Sequence, residues 1–256
     1  MKKNVDFKNC SFFEGSDAAF TMIAVQGGTF NMGSNEYAYE KPIHKVKLGD
    51  FGMGQHLVTQ AVWKKVMDGQ NPSYFKGDNR PVERVSWNII INDFLPKLNE
   101  LTQNDRPKGT QFCLPTEVQW EYAARDGVQE QKPSFIYSGG DKLDDVGWYY
   151  KNSHGETKPV GLKLQNLLDF YDMSGNVYEW CSDFYSPYQA VVDRDLQGVR
   201  RDVEKAVGEG TPRVMRGGLW GGDAHSCRVF LRFRDAPADS DHYIGFRLSL
   251  FSFFSV

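Results

Sequence analysis

Residues 221–256 contain no lysine, glutamate, glutamine, methionine or tryptophan. These five types make up about a quarter of residues 1–220, so an even composition would place about nine of them in the tail. The absence begins directly after Trp220.

Other absences concern the whole chain. Cys10, Cys113, Cys181 and Cys227 never form a CxxC pair, which excludes a zinc knuckle or a disulfide-dense secreted scaffold and leaves free thiols as the expectation. No run of about 18 apolar residues occurs, so no membrane insertion is expected. Lys2 and Lys3 are not followed by an apolar stretch, and Phe7, Lys8 and Asn9 before Cys10 do not resemble a lipid-attachment box. Thirty Lys+Arg against 33 Asp+Glu give a net charge of -3, which supplies no general attraction to nucleic acid.

What is present is ordinary for a folded chain. At 256 residues, with 40% hydrophobic and 25% charged, a core can form without a disulfide or metal staple. With no repeat or linker composition, residues 1–256 read as one domain and a monomer.

Short alternating runs and glycine turns predict β structure from Phe20 to Phe51. Val58, Val62 and Val66 predict a helix that Thr59 can cap, and Ser86 to Leu101 a second one disturbed at Pro96. Thr116-Glu-Val-Gln119 is a capping-box pattern opening a third. From Asp126 to Pro212 irregular loops are expected. Ile244, Phe246, Leu248 and Leu250 alternate with Gly245, Arg247 and Ser249, the pattern of a half-buried strand.

Seven strings then occur in order: Gly28-Thr-Phe-Asn-Met-Gly33, Pro81-Val-Glu-Arg-Val-Ser-Trp87, Leu114-Pro-Thr-Glu-Val-Gln-Trp-Glu-Tyr-Ala-Ala-Arg125, Asp169-Phe-Tyr-Asp-Met-Ser-Gly-Asn-Val-Tyr-Glu-Trp180, Val214-Met-Arg-Gly-Gly218, Cys227-Arg228 and Gly245-Phe-Arg247. Together they resemble the formylglycine-generating-enzyme (sulfatase-modifying factor) type of C-type lectin fold over about residues 20–250. The resemblance implies an α+β domain with few helices, a small twisted antiparallel sheet and long irregular loops. Its members include copper-dependent oxidases, iron-dependent sulfoxide synthases and pure binding proteins, so function has to come from the site.

The oxidases of this type pair two copper-ligating cysteines five residues apart after the Arg-Gly-Gly string. Cys227 occupies the second position and Gly222 the first. One thiol cannot supply a two-thiolate Cu(I) site. Cys227 otherwise reads as a small buried hydrophobe beside Arg228. His44, His56, His154, His225 and His242 show no HxxxH spacing for the iron branch. Gly217-Gly-Leu-Trp-Gly-Gly222 lacks the lysine and helix of a phosphate cradle. No catalytic residue or catalytic cofactor is assigned.

The tail suggests a different role. The five missing types are those the genetic code never writes with a pyrimidine in the third position, and randomising the adenines of AAY asparagine codons yields only the others. The segment 216–248 thus resembles the variable region of a diversity-generating retroelement target protein, where adenine-directed mutagenesis rewrites chosen codons. A chance shortage in a Phe- and Ser-rich tail remains the alternative.

Such a scaffold tolerates variation only where side chains leave the core. Trp220, Cys227, Arg228, Arg232, Pro237, Gly245, Phe246 and Arg247 are expected to be fixed framework. Gly221, Gly222, Asp223, Ser226, Phe230, Leu231, Phe233, Asp235, Asp239, Ser240, Asp241, His242 and Tyr243 form the candidate contact set. Aromatic anchors, short polar groups and glycine are the composition of a paratope. Phe230 and Phe233 read alternatively as core residues. The expected ligand is a protein or glycan, and the resemblance implies display on a bacterial surface or a phage.

Asp172-Met-Ser-Gly-Asn-Val-Tyr-Glu179 matches the stretch where enzymes of this fold hold a structural calcium ion. By resemblance the ligands would be the carboxylates of Asp172 and Glu179 and the backbone oxygens of Gly175 and Val177. A Ser-Gly-Asn turn with both acids capping nearby N–H groups is the competing reading.

Overall fold

Three helices begin where short polar side chains replace missing backbone partners. In a computed structural model describing residues 7–127, 135–188 and 210–252, Thr59 accepts from Val62 N at the start of α1 (Gln60–Val66). Ser86 accepts from Ile89 N at the start of α2 (Trp87–Ile89). After α2 the chain widens into a π turn over Ile90–Phe94, where Leu95 N–H reaches back to Ile90 O, and α3 (Leu95–Leu101) follows with Pro96 in its first turn. That position needs no N–H, so the proline is accommodated by a change of helix type. At α4 (Glu117–Ala124) Thr116 and Gln119 form the reciprocal capping box. The short α5 (Leu143–Val146) completes the α-helices among the described residues.

Eleven strands are described: β1 (Cys10–Phe12), β2 (Phe20–Val25), β3 (Gly28–Met32), β4 (His44–Leu48), β5 (Phe51–Gly54), β6 (Thr110–Cys113), β7 (Tyr178–Phe184), β8 (Arg213–Arg216), β9 (Phe233–Asp235), β10 (Ile244–Gly245) and β11 (Ser249–Ser252). One sheet runs β1-β2-β5-β11-β6 and is antiparallel throughout. A second runs β10-β7-β8-β9, and β3 pairs with β4 in a third. The β10–β7 pair is parallel, so the architecture is α+β with two antiparallel sheets and one mixed sheet.

Two buried clusters hold these layers. In the first, Trp63 of α1 stacks on Phe94 at 4.9 Å, and Phe246 from the tail meets Phe94 edge-on at 5.2 Å. In the second, Trp120 and Tyr122 of α4 lie among residues of β2 to β5 and of β7 and β8.

Two expectations need correction. β7 falls in a stretch expected to be irregular; its Tyr-Glu-Trp-Cys-Ser start is buried on both faces and therefore shows no alternation. The 244–250 stretch is likewise buried on both faces. Gly245 and Arg247 lie against protein, and Ser249 Oγ donates to Gly52 O at 3.0 Å. Instead of one strand the stretch holds parts of two sheets, β10 and the start of β11, with 246–248 outside both, and its polar half faces interior partners instead of water. Among the described residues no helix is long and apolar enough to cross a membrane.

Candidate functional site

Arg216 at the end of β8 and three arginines of the tail turn inward and meet acids placed far earlier in the chain. Arg232 donates to Glu117 through Nε at 2.6 Å and Nη2 at 2.8 Å. Arg247 donates to Glu179 through Nε at 2.6 Å and Nη2 at 2.9 Å. Arg228 Nη1 donates to Glu40 at 2.9 Å, and its Nη2 also reaches Glu36. Arg216 pairs with Glu121 and donates to the carbonyls of Val229, Phe230 and Leu231.

Each guanidinium is buried, and a buried charge is tolerated only when paired and hydrogen-bonded. Burial pushes the Glu117 carboxyl up, but Arg232 and Arg216 outweigh it and hold it below the usual carboxylate range. The tail, having no glutamate of its own, is thus pinned by glutamates of the scaffold.

Between the pins, a ladder of rings crosses the surface. Tyr74 meets Phe75 at 4.9 Å between centroids, Phe75 meets Trp220 at 5.4 Å, and Trp220 meets His242 at 5.5 Å. The ladder continues from His242 to Tyr243 at 5.4 Å, from Tyr243 to Tyr178 at 6.5 Å, and from Tyr178 to Phe233, stacked at 5.0 Å. Tyr178 is its buried base, whereas Tyr74 and Phe233 are 65% and 44% exposed. Trp220 Nε1 donates to His242 O at 3.2 Å, which locks the central rung.

Tyr74, Phe75 and Tyr178 lie outside the tail and were not among the expected contact residues. Nothing in their spacing marks them. The loop of Tyr74 and Phe75 is held from beneath by Glu83, whose Oε1 accepts from Phe75 N at 2.8 Å. Burial pushes the Glu83 carboxyl up to about 7, and its Oε2 has no hydrogen-bond partner.

The carboxylates of Asp235, Asp239 and Asp241 gather around Tyr243. Burial, a hydrogen bond with Asp239 and repulsion from Asp239 and Asp241 raise the Asp235 carboxyl above its ordinary range. After burial, the same three acids raise the Tyr243 hydroxyl. Asp241 Oδ1 accepts from His242 N at 2.6 Å and lies against His242 Nδ1. Asp223 Oδ1 accepts from Ser226 N at 2.9 Å and so also shapes the turn leading to Cys227.

The expected contact set divides as follows. Gly221, Asp223, Phe233, Asp239 and Ser240 are exposed; Gly222, Ser226, Phe230, Asp235, Asp241, His242 and Tyr243 are half-buried. Leu231 is buried in the first core cluster at 7% exposure, which removes it from the set. Its neighbours Phe230 and Arg232 are drawn inward by the carbonyl contacts of Arg216 and by Glu117. Phe230 packs against the second cluster with Arg125 over its ring at 4.8 Å, apart from the ladder. Of the expected framework, Cys227, Arg228, Arg232, Pro237, Gly245, Phe246 and Arg247 are buried, and Trp220 is half-buried.

At the positions that the resemblance matches to the copper cysteines, one thiol stands alone. Burial pushes the Cys227 thiol up to about 12. A Cβ built on Gly222 would lie 2.2 Å from Ser226 Oγ and 2.9 Å from Leu219 Cδ2. The proposed calcium ligands do not fit an ion either. Both Glu179 oxygens are taken by Arg247, with Trp120 Nε1 adding a bond at 2.9 Å, so a cation already occupies that carboxylate. Asp172 accepts from Gly161 N at 2.8 Å, and burial raises its carboxyl to about 6. Gly175, at φ +104°, needs the absence of a Cβ, which would lie 2.2 Å from Trp148 O. Asn176 joins the same loop through both its backbone N and its side chain. Asp172 thus caps a backbone N–H as the turn reading expects, whereas Glu179 is held by the side chains of Arg247 and Trp120. Among the described residues no group of three or more His, Cys, Asp or Glu could hold a metal ion.

A family model described as the sulfatase-modifying factor enzyme 1-like domain matches residues 13–250. The chain is 31% identical to the chaperone protein LppX of Paenibacillus barcinonensis, over 86% of this chain and 85% of that protein. It is 30% identical to the serine/threonine-protein kinase Pkn1 of Chlamydia trachomatis serovar L2, over 88% of this chain but only 37% of the kinase. Among solved structures, variable protein 1 of Treponema denticola is similar with a TM-score of 0.78 at 29% identity, covering 94% of this chain and 98% of that one.

Proposed function

The chain belongs to the sulfatase-modifying factor enzyme 1-like family, and from that membership we propose that it is a recognition protein, without catalytic activity, whose C-terminal face binds its ligand. The observation that carries this reading is the division of the tail. Arg228, Arg232 and Arg247 are pinned inward by scaffold glutamates, while the intervening Phe233, Asp239, Asp241, His242 and Tyr243 are exposed or half-buried along one ring ladder. A segment fastened this way can change its outward residues without losing its place.

The likeness to a variable protein supports the further reading that these positions are diversified by adenine-directed mutagenesis. The ligand is a protein or a glycan, bound by a monomer displayed on a bacterial surface or a phage. Gly222 and the buried Cys227 thiol argue against the oxidase chemistry found elsewhere in the family.

Two measurements test this. Copper loading followed by incubation with a cysteine peptide yields no aldehyde if the chain is a binder; aldehyde formation overturns the reading. In the encoding DNA, a near-copy of the segment for residues 216–248, differing at adenines and lying beside a reverse transcriptase, is expected. Its absence removes the diversification and leaves the binding face.

A further inference from the structure

We propose that the partner of this face is a protein segment carrying exposed arginine or lysine side chains. The inference rests on the recognition reading above and names the chemistry of its ligand.

The sign of the face follows from where the tail's charges go. Arg228, Arg232 and Arg247, with Arg216 just before the tail, have their charges consumed internally by glutamates. Arg234 is exposed, but successive residues of a strand point to opposite faces, so it projects away from Phe233 and Asp235 and lies over Tyr185 at 4.6 Å. Of the neighbouring loop's cations, Lys76 Nζ donates to Asn71 O at 2.9 Å, and exposed Arg84, whose N donates to Asp241 O at 3.0 Å, is one charge beside four aspartates. The tail therefore presents Asp223, Asp235, Asp239 and Asp241 without an outward cation of its own beside the ladder.

Three of these acids also crowd one another. Even with Asp235 hydrogen-bonded to Asp239 and Asp241 against His242 Nδ1, Asp239 and Asp241 each disfavour the charged form of Asp235, so like-charge repulsion remains next to Tyr243. An arriving guanidinium or ammonium relieves it. The rings beside the acids accept the same group, because a cation over an aromatic face is attracted by the ring's negative face. Phe233 and Tyr74 are open to such a contact. An acidic ligand, in contrast, meets repulsion from the carboxylates and only apolar contact from the rings. Rings and carboxylates together thus select for cationic side chains.

The test uses the full chain and three synthetic probes of equal length: an alternating arginine–glycine peptide, a glutamate–glycine peptide and a serine–glycine peptide. Binding is followed by peptide fluorescence anisotropy at low and high salt. The arginine peptide is expected to bind, more weakly in high salt, and the other two to bind at least about tenfold more weakly. Asp239→Asn with Asp241→Asn, and separately Phe233→Ala, should each weaken binding about three- to tenfold, with circular dichroism and Tm confirming the fold. Glu14→Gln with Asp105→Asn makes the same change in net charge at exposed sites outside the tail and should leave Kd within about twofold. Equal binding of the three peptides, or equal weakening by the distant pair, overturns the proposal. A display library randomised at residues 233, 239, 241 and 243 separates this from the broader reading. Binders to an uncharged target, with no binding of the arginine peptide, reject the cationic ligand and keep the recognition face. No binder to any target rejects both.

Discussion

Arg232 closes on Glu117 through two parallel hydrogen bonds of 2.6 and 2.8 Å, joining positions 115 residues apart. Glu117 stands in the first turn of α4, and Arg216 approaches the same carboxylate at 3.7 Å. One scaffold acid therefore fixes both the entry to the tail and its middle.

Removing one member leaves the other charged and buried. Arg232→Ala should lower stability by about 3–5 kcal/mol in urea unfolding, whereas replacing Arg232 and Glu117 together by Met and Leu should cost much less than either single change. The pH sign follows from the lowered Glu117 carboxyl. Its contribution is present above the unfolded carboxylate value of 4.5 and is lost as pH falls through the lower folded value. A double substitution as costly as the sum of the singles would mean that the residues act independently.

Leu231 and Phe233 are both apolar and two positions apart, yet their truncations should differ sharply. Leu231→Ala removes a buried side chain and should cost about 2–5 kcal/mol. Phe233→Ala gives up an exposed ring and its stack on Tyr178, for about 0.5–1.5 kcal/mol. The Phe233 variant should keep a near-native Tm while its ligand choice changes. A collapse of folding on replacing Phe233, Asp241 and Tyr243 together would contradict the assignment of this face.

Glu83 makes the loop of Tyr74 and Phe75 sensitive to pH. Its folded value near 7 lies above the ordinary 4.5, so between them the native state binds more protons than the unfolded chain. Its contribution to stability therefore declines as pH rises through that window, and the loss is complete above pH 7. Urea midpoints measured from pH 4 to pH 8 should show this slope, and Glu83→Gln should flatten it. A wild-type slope unchanged in the variant would assign the effect to another group.

The helices before Asp126 and the family were legible because their signals are local, whereas α5 has no side-chain cap and falls in a stretch expected to be irregular. Thr59, Ser86 and Thr116 cap from within three residues, and the ordered strings name a fold. The inward-facing arginines were legible as framework, but not their partners, since Arg228 and Glu40 lie 188 residues apart. The ladder was half legible. Phe233, His242 and Tyr243 stand out against the tail's composition, whereas Tyr74, Phe75 and Tyr178 come from segments whose convergence only the fold decides. Leu231 was misplaced for the same reason, because adjacency in sequence to Phe230 and Phe233 says nothing about the Arg216 contacts that turn its backbone inward. Glu179 matched a calcium pattern by string, and only the position of Arg247 reveals a salt bridge there.

Gly222 and Ser226 are coupled by space. Any Cβ at 222 would lie 2.2 Å from Ser226 Oγ, an atom held by its bond to Asp223 O at 2.7 Å, while Gly222 O is itself fixed by Tyr150 N at 2.9 Å. Ser226 Oγ can turn away only by giving up that bond, and Leu219 Cδ2, 2.9 Å from the same Cβ, must shift with it. Gly222→Ala alone should therefore cost about 0.5–1.5 kcal/mol, the worth of one hydrogen bond, and Ser226→Gly in the same chain should recover most of it. At Gly221 the nearest atom to a built Cβ is Leu219 Cδ1 at 3.8 Å, so Gly221→Ala should be nearly neutral. If these positions are diversified, allowed residues at 222 will depend on the residue at 226, and those at 221 will not. Stability measured over the four combinations of Gly or Ala at 222 with Ser or Gly at 226 decides the matter; additive effects would show that the turn relaxes and that the two positions vary independently.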